Sequence, residues 1–243
     1  SISVCKQRLP TALITGASRG IGRRTAELLA RKGWDLKIVA RSGDQLEQLA
    51  AELRPMGVQV EVRSIDLTDP QAIQPALTGL LEQGSPPAVL INNAGAAYTG
   101  DLLAMPLERW QWLMQLNVTS VMQVCAAVVP AMRATGGLVI NVNSHAARNA
   151  FPQWGAYCVS KAALASFTRC LAEEERAHGI RGCTLTLGAV NTPLWDAETV
   201  QSDFDRRAML SIDQAAEALV NLAEQPVNQV IEDLTLMPAA GAF

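Results

Sequence analysis

Seven short apolar runs alternate along the chain with longer segments in which apolar residues recur at helical spacing. The runs LKIVA, AVLI and LVINV lack the in-out alternation of a half-exposed strand. Strands of this kind are typical of a parallel sheet that helices cover on both faces, so the pattern predicts a doubly wound α/β fold. The predicted strands are Thr11–Thr15, Asp35–Ala40, Val58–Ile65, Ala88–Asn92, Gly137–Asn143, Cys183–Leu187 and Val230–Leu236.

The composition is that of a globular protein with a large buried core. Of the 243 residues, 49% are hydrophobic and 18% are charged. The net charge is −3, so the chain lacks the basic field that attracts nucleic acid. No repeat, low-complexity segment or long linker divides the sequence. We therefore expect one domain over residues 1–243 and no nucleic acid partner.

Three features of the sequence indicate the cellular compartment: the cysteines, the N-terminus and one uncharged run. Five scattered cysteines and two histidines predict neither a disulfide framework nor a metal site. The polar stretch Ser1–Pro10 lacks the apolar region of a signal peptide, which favours the cytoplasm. The run Trp110–Met132 is long enough to span a bilayer, but Gln, Asn and Pro residues interrupt it. A helix buried at an interface is expected there rather than a membrane span.

A glycine-rich loop joins the first predicted strand to a helix predicted over Arg23–Arg31. Glycines permit a tight turn close to a diphosphate, and the free amides at the start of the helix attract its negative charge. A glycine-rich turn without a ligand is the alternative. The candidate cofactor-binding residues of the loop are Gly16, Ser18, Arg19, Gly20, Ile21 and Gly22.

The residues after the second predicted strand bear on the choice between nicotinamide cofactors. An NAD site usually carries an acidic residue there for the ribose hydroxyls, but this chain has Arg41 and Ser42. Arg41 and Arg19 are placed to bind a 2′-phosphate through charge-assisted hydrogen bonds. Alternatively, both are solvated surface charges. The two arginines favour NADP(H) as the cofactor.

A tyrosine and a lysine four residues apart begin a long apolar helix. Tyr157 and Lys161 should lie one turn apart on the same face, where the ammonium can favour the phenolate form for acid–base chemistry. A Tyr–Lys pair alone is more often a half-exposed surface pair. Ser144 ends a predicted strand and is placed to hydrogen-bond the same substrate oxygen. The combination predicts a catalytic site.

These motifs, in this order, resemble those of the short-chain dehydrogenase/reductase family. The resemblance extends over about Thr11–Met237 and implies a Rossmann fold with a mostly parallel seven-stranded sheet. One departure is Leu187-Gly188, where the family usually has Pro-Gly; we expect a looser turn under the nicotinamide. The further motifs that carry the resemblance are Asp66, Asn92-Asn93-Ala94-Gly95, Asn117 and Gly188-x-Val190-x-Thr192.

The resemblance implies a role for each matching residue. Tyr157 is implied to be the general acid in reduction and the base in oxidation, while Ser144 orients the carbonyl. Lys161 is implied to bind the nicotinamide ribose, and Asn117 to hold a water that links Lys161 to solvent. The other implied NADP(H) contacts are Asp66 and Leu67 at the adenine, Asn93, Ala94 and Gly95 at the adenosine ribose, and Val190 and Thr192 at the carboxamide.

The loops that follow the strands ending at the site are expected to contact a small-molecule substrate. His145 is either a substrate contact or a bystander. The expected contact segments are Gly95–Asp101, His145–Trp154 and Thr192–Met209, the last of which resembles an amphipathic lid.

The sequence motifs leave two other functions open. Many bacterial-type relatives reduce 3-oxoacyl groups on acyl carrier protein, and they usually meet this acidic partner with basic residues where this chain has Thr135 and His178. A free carbonyl compound or alcohol is therefore favoured as the substrate. The alternative from another class is a catalytically silent NADP-binding regulator.

Two predicted helices lack a clear polar stripe. They are the run Trp110–Met132 and the tyrosine helix, whose early part is apolar beyond one face. Exposed on a monomer, they would form a large apolar patch, so a homodimer or homotetramer is expected. The alternative is that one subunit covers both helices.

Overall fold

Seven parallel strands form one sheet in the computed structural model of the chain, which describes residues 10–242. The strands are β1 (Thr11–Thr15), β2 (Asp35–Ala40), β3 (Val60–Ser64), β4 (Val89–Asn92), β5 (Gly137–Ser144), β6 (Ile180–Leu187) and β7 (Asp233–Leu236). Their order across the sheet is β3-β2-β1-β4-β5-β6-β7. The predicted doubly wound α/β fold is confirmed. The polar stretch before Pro10, used above to predict the compartment, lies outside the described residues.

All seven predicted strands are present, with small differences at their ends. β6 begins at Ile180 rather than Cys183, directly after Gly179, whose φ of +73° places it in a left-handed turn. β7 begins at Asp233 rather than Val230 because its pairing with β6 starts there. Apolar residues outside the ladder therefore extended the predicted strand beyond the observed one.

Helices cover both faces of the sheet and separate two apolar cores. One core contains Leu29 and Leu49, and the other contains Val124 and Leu164. On the first face lie α1 (Gly20–Arg31), α2 (Gly43–Leu53) and α7 (Ile212–Ala223), and on the second lie α3 (Ile73–Leu81), α5 (Ser120–Met132) and α6 (Gly155–Glu175). A shorter helix, α4 (Leu107–Met114), continues into α5 through the π-helical segment Gln115–Thr119. This layered arrangement is what the nearly continuous apolar strands require.

The uncharged run lies within one continuous helical stretch, Leu107–Met132. By length and composition alone this stretch is apolar enough to cross a membrane, and 44% of its most apolar window is buried inside the protein. Its second half packs Val121, Val124 and Val128 into the core beside the sheet. The stretch is therefore a helix of the fold, whose apolar character is used in part for packing.

The order of the strands determines where a ligand can bind. Strands β2 and β3 extend from one side of β1, whereas β4 to β7 extend from the other. At such a reversal the connecting loops diverge and leave a crevice at the carboxyl ends of the strands. The glycine loop after β1 and the loop after β4 border this crevice.

Candidate active site

A cleft of about 810 Å³ opens at the carboxyl ends of β1, β4 and β5. It brings together nearly all of the predicted site residues. Gly22 and Asn117 are buried behind the lining. The predicted residues that line the cleft are Gly16, Ser18, Arg19, Gly20, Ile21, Arg41, Asp66, Leu67, Asn93, Ala94, Gly95, Ser144, Tyr157, Lys161, Val190 and Thr192.

The glycine loop has the close packing that a diphosphate site requires. Gly16 and Gly20 have φ values of +64° and +59°, which L side chains rarely adopt. A Cβ on Gly22 would lie 2.3 Å from the Gly16 carbonyl oxygen, so a side chain there would push the loop apart. α1 begins at Gly20, earlier than the predicted Arg23, which places the first amides of the helix at the cleft. These residues fit a bound diphosphate.

One threonine links this loop to the loop after β4. The Thr15 hydroxyl accepts hydrogen bonds from the backbone N–H groups of Asn93 and Ala94, at 3.0 and 3.1 Å. The Asn93 side chain donates in turn to the Gly16 carbonyl, at 3.3 Å. The two loops thus form one rigid wall of the cleft. Sequence reasoning did not assign Thr15 a role, although it ends the first strand directly before the glycines.

The far end of the cleft carries two arginines. Arg19 and Arg41 are exposed, and among the described residues neither forms an ion pair. Hydrogen bonds from Thr68 hold the pKa of the Asp66 carboxyl below its usual value, and the Arg41 charge acts in the same direction. Two guanidinium groups are therefore available here to an anionic ligand.

The N-terminus of α2 also borders this end of the cleft. Ser42 caps the helix by accepting a hydrogen bond from the Gln45 backbone N–H at 3.3 Å, and both residues line the cleft. Neither was singled out as a candidate site residue. A serine three residues before a glutamine, directly after a strand, is the signal that would have identified this cap.

Ser144, Tyr157 and Lys161 converge where β5 meets α6. The Lys161 ammonium lies 5.6 Å from the centre of the Tyr157 ring and donates a hydrogen bond to the Val142 carbonyl at 3.4 Å. The Asn143 side chain donates to the Lys161 carbonyl at 3.1 Å, which joins the helix to the strand. The predicted juxtaposition of hydroxyl, phenol and ammonium is thus present.

Burial shifts the pKa values of this group toward the uncharged forms. It raises the pKa of Tyr157 to about 12, although a hydrogen bond with Ser144 opposes the shift. Burial also lowers the pKa of Lys161 to about 8. The net shift of the phenol is opposite to the one expected from a neighbouring ammonium, because loss of hydration is its largest cause. At neutral pH the phenol keeps its proton and the lysine keeps its charge.

Asn117 lies in the π-helical segment and is 1% exposed. Its side-chain N–H donates to the Ala96 carbonyl at 2.8 Å and to the Ser160 hydroxyl at 3.0 Å. Its side-chain oxygen accepts from the Ala96 backbone N–H at 2.8 Å. The amide therefore links the loop after β4 to α6. Through these contacts it supports the wall of the cleft from the buried side. A π-helical turn of this kind is common near functional sites.

The opposite end of the cleft is lined largely by aromatic residues. The Trp154 ring lies 5.7 Å from the Tyr157 ring, 5.5 Å from Trp195 and 6.4 Å from Phe204, measured between centroids. His145 also lines the cleft and contacts Phe151 edge-on at 5.2 Å. Parts of all three predicted substrate segments line this end, including Ala96, Ala97, His145, Phe151, Trp154, Leu194, Trp195, Glu198 and Phe204.

The segment Thr192–Met209, predicted to resemble an amphipathic lid, has short 3₁₀ turns at Pro193–Asp196 and Arg206–Ala208 rather than a continuous helix. The Trp195 indole N–H donates to the Val190 carbonyl at 2.9 Å, and the Thr199 hydroxyl donates to the Ala97 carbonyl at 2.8 Å. The segment thus covers the cleft with hydrogen bonds on both sides.

The turn after β6 keeps its glycine for a steric reason. A Cβ on Gly188 would lie 2.5 Å from Cδ of Pro238, and the Gly188 N–H donates to the Leu236 carbonyl at 2.8 Å. Leu187 is the last residue of β6 and is buried. The expectation of a looser turn finds no support in these contacts, because β7 and the residues after it hold the turn in place.

No group of three or more His, Cys, Asp or Glu side chains placed to hold a metal ion is found within residues 10–242.

Comparison with known proteins agrees with this geometry. A family model described as short chain dehydrogenase matches residues 10–203. Serine 3-dehydrogenase of Rhizobium radiobacter is 30% identical over 240 residues, which cover 96% of this chain and 95% of that protein.

Solved structures resemble the whole fold. An alcohol dehydrogenase from the archaeon Thermococcus sibiricus, complexed with 5-hydroxy-NADP, superposes with a TM-score of 0.88 at 30% identity, covering 96% of this chain and 97% of that one. L-Sorbose reductase of Gluconobacter frateurii, complexed with NADPH and L-sorbose, superposes with a TM-score of 0.85 at 27% identity, covering 95% of both chains.

Proposed function

This chain belongs to the short-chain dehydrogenase family, and on that premise we propose that it is an NADPH-dependent oxidoreductase acting on a carbonyl compound or secondary alcohol. The observation that carries the proposal is the convergence of Ser144, Tyr157 and Lys161 in the same cleft as the glycine loop. A dinucleotide in that loop and an acid–base group at the far side are the two parts that a hydride transfer requires.

The cleft offers a partner for each part of the cofactor. The amides of the glycine loop would bind the diphosphate, and Arg19 and Arg41 would bind the 2′-phosphate. Solved relatives that carry NADPH or 5-hydroxy-NADP support this choice. When bound, NADPH supplies the hydride. By resemblance to the family, the remaining contacts are Asp66 and Leu67 at the adenine, Asn93, Ala94 and Gly95 at the ribose, Lys161 at the nicotinamide ribose, and Val190 and Thr192 at the carboxamide.

Proton transfer falls to Tyr157. Its phenol donates a proton to the substrate oxygen in reduction and takes one back in oxidation, while the Ser144 hydroxyl orients the same oxygen. The high pKa of the buried phenol keeps it protonated at neutral pH, which suits the reduction direction. Asn117 is a positioning residue, because its contacts are with Ala96 and Ser160.

The surface does not favour an acyl carrier as the partner. Thr135 and His178 are both exposed, and Glu173 near the second of them pairs with Arg176 at 2.6 Å. An acidic carrier protein would meet few free positive charges in these places. We therefore propose a free small molecule as the substrate.

The assembly and compartment that we propose follow from the surface and the cysteines. Apolar side chains of α5 and α6 are exposed, among them Met122 at 45% and Val159 at 41%, which supports a homodimer or homotetramer. The described cysteines are all free, as is usual in the reducing cytoplasm.

Cofactor choice provides the first test. Replacing Arg41 by Ala should weaken NADPH binding by roughly 10-fold and leave NADH binding nearly unchanged, because only NADPH carries the phosphate. Fluorescence titration of both cofactors measures this, with Arg31→Ala, an exposed arginine at the end of α1, as the matched control. Equal affinity of the native chain for NADPH and NADH would contradict the cofactor assignment. A panel of ketones that yields no NADPH oxidation would favour the silent regulator instead.

A further inference from the structure

The substrate end of the cleft has an aromatic wall, which we define as Trp154, Trp195 and Phe204. The Trp154 ring packs at 69° against the Tyr157 ring, so the wall begins beside the proton donor. Trp154 and Phe204 are nearly parallel, with 8° between their planes, and Trp195 contacts both. A substrate whose carbonyl reaches Tyr157 therefore has aromatic rings available beside its adjoining group.

The wall is held in place by the rest of the fold. Trp154 precedes the first turn of α6, and the Trp195 indole N–H is bound to the Val190 carbonyl. Because its polar atom already has a partner, the Trp195 ring offers the cleft only its apolar surface. Rings fixed in this way favour flat apolar partners, which stack at little entropic cost.

Among the residues that the structure describes, none places a free positive charge at this end of the cleft. Five charged residues line the cleft within the described chain: Arg19 and Arg41 at the far end beside Asp66, Lys161 at the centre, and Glu198 at the substrate end. Burial lowers the pKa of His145, which leaves it neutral at neutral pH.

Both basic residues of the covering segment, Arg206 and Arg207, are already paired. Arg207 pairs with Asp205 at 3.1 Å. Arg206 donates to Asp196 at 2.6 Å, to Asn191 at 2.7 Å and to the Thr192 carbonyl at 3.2 Å. A carboxylate or phosphate on the substrate would therefore meet Glu198 without a compensating cation, which is unfavourable in a partly desolvated site.

We infer that the substrate is an uncharged aryl ketone or the corresponding secondary alcohol, with the ring adjoining the carbonyl carbon and no acidic group. This inference rests on the proposed function and adds to it the substrate class. It separates this chain from relatives named for serine, which carries a carboxylate, and for L-sorbose, which is a polyol.

Three ketones of similar size test the inference. Acetophenone carries the aryl ring, cyclohexyl methyl ketone replaces it with a saturated ring, and 4-acetylbenzoate adds a carboxylate. In kcat/KM and in affinity we expect acetophenone to exceed the cyclohexyl compound by roughly 2- to 10-fold, as aromatic stacking suggests. 4-Acetylbenzoate should be worse than acetophenone by at least about tenfold. A preference for the cyclohexyl compound or for the benzoate would overturn the inference.

Substitutions at two positions, Trp195 and Glu198, assign the substrate preference to particular residues. Trp195→Leu should abolish the preference for acetophenone over the cyclohexyl compound, whereas Trp195→Phe should retain it. Glu198→Gln should improve kcat/KM for 4-acetylbenzoate relative to acetophenone by about 2- to 5-fold in a salt-sensitive way, because Glu198 is exposed and its charge is screened. Trp110→Leu, on α4 outside the lining, is the matched control. An aryl preference that survives in Trp195→Leu would contradict the role of the wall.

Binding and turnover separate this inference from the proposed function. Dissociation constants of the three ketones, measured by ligand-observed NMR in the presence of NADPH, rank the substrate class even if none is reduced. Absence of NADPH oxidation both with these three ketones and with a broad panel of aliphatic and polar ketones contradicts the proposed function. Turnover of other ketones but not of acetophenone, or a binding order other than the one expected, contradicts the aryl preference alone.

Discussion

Burial has opposite consequences for the two ionisable residues at the centre of the cleft. Tyr157 becomes a weaker acid, with a pKa of about 12, and Lys161 a stronger one, with a pKa of about 8. Both shifts follow from the cost of placing a charge among buried groups. The phenol thus holds a proton over the whole neutral range, while the lysine remains cationic only up to about pH 8. In the function that we propose, this pair places a proton donor beside a cation.

Tyr157→Phe removes one phenolic hydroxyl and little volume. We expect kcat for ketone reduction to fall by about 10² to 10⁴-fold, the usual contribution of general acid catalysis, with little change in the Kd for NADPH. Steady-state kinetics and a binding titration measure the two quantities. Tyr98, the other tyrosine of the chain, lies outside the lining, so Tyr98→Phe is the control and should keep native turnover. Near-native turnover in Tyr157→Phe would show that another group delivers the proton.

Lys161→Met should stabilise the protein against unfolding at neutral pH while abolishing activity. The lysine pKa falls from 10.5 in the unfolded chain to about 8 in the fold, so below pH 8 the folded state holds a buried charge that opposes folding. Between these two pKa values the unfolded chain binds more protons, and the stability of the native protein rises with pH.

The expected gain for Lys161→Met is about 1–3 kcal/mol at pH 7, shrinking toward zero as the pH approaches 10.5. Urea unfolding at several pH values measures it. Lys32→Met, which removes a half-exposed lysine paired with Glu224, should show no such trend. A variant less stable than the native protein at pH 7 would mean that the contacts of the ammonium stabilise the fold by more than its burial destabilises it.

Among the elements, β2 and β3 share an ion pair inside the sheet layer. Lys37 is 1% exposed and directly opposite Glu61 in the strand register, and their charged groups are 2.8 Å apart. The ammonium also donates to the carbonyls of Leu80, at 3.2 Å, and Gln83, near the end of α3. A single lysine inside β2 thus joins two strands and a helix.

The two halves of this pair should respond unequally to substitution. Glu61→Ala leaves the Lys37 ammonium buried without its counter-ion, and we expect a loss of about 3 kcal/mol in the free energy of unfolding. Lys37→Met should cost less, because Glu61 is 20% exposed and can reach water. Urea unfolding compares the two with Glu173→Ala, which breaks an exposed pair and should leave stability nearly unchanged. Equal losses for both halves would contradict this asymmetry.

At the scale of the whole molecule, the outer faces of α5 and α6 are less polar than a monomer needs. Met122, Ala126, Val159 and Ala162 are exposed, whereas Val121 is 4% exposed and belongs to the core. A charge at Val121 would therefore disrupt packing, and the outward neighbour Met122 is the proper position to test association. Paired two-fold, such faces form a self-complementary contact.

Met122→Asp should convert a dimer or tetramer to the 26.0 kDa monomer. It should also lower turnover, because α5 begins directly after the segment that holds Asn117. Light scattering at micromolar concentration measures the mass. Leu103→Asp changes a fully exposed loop leucine and should leave the mass unchanged. A native chain that already has the monomer mass would show that these faces serve no self-association.

Much of the fold can be predicted from the sequence because its signals are local. Seven apolar runs, the glycines after the first strand and the Tyr157–Lys161 spacing each lie within a window of a few residues, where helix and strand periods determine which side chains share a face. The glycine loop and the convergence of Ser144, Tyr157 and Lys161 in one cleft were predicted in this way. Strand ends were less accurate, as at β7, because pairing with a neighbour determines where a ladder begins.

Other features depend on residues that are far apart in the chain. The aromatic wall joins residues 154, 195 and 204, Lys37 meets groups near residue 80, and Asn117 reaches Ala96 and Ser160 through a π-helical turn. The direction of the Tyr157 pKa shift likewise depends on how many atoms surround the phenol. The sequence by itself determined the order of the strands along the chain and the chemistry available at their ends. Only the tertiary structure decided which of those groups are dehydrated, paired and in contact, because burial and long-range contacts arise from packing rather than from local periodicity.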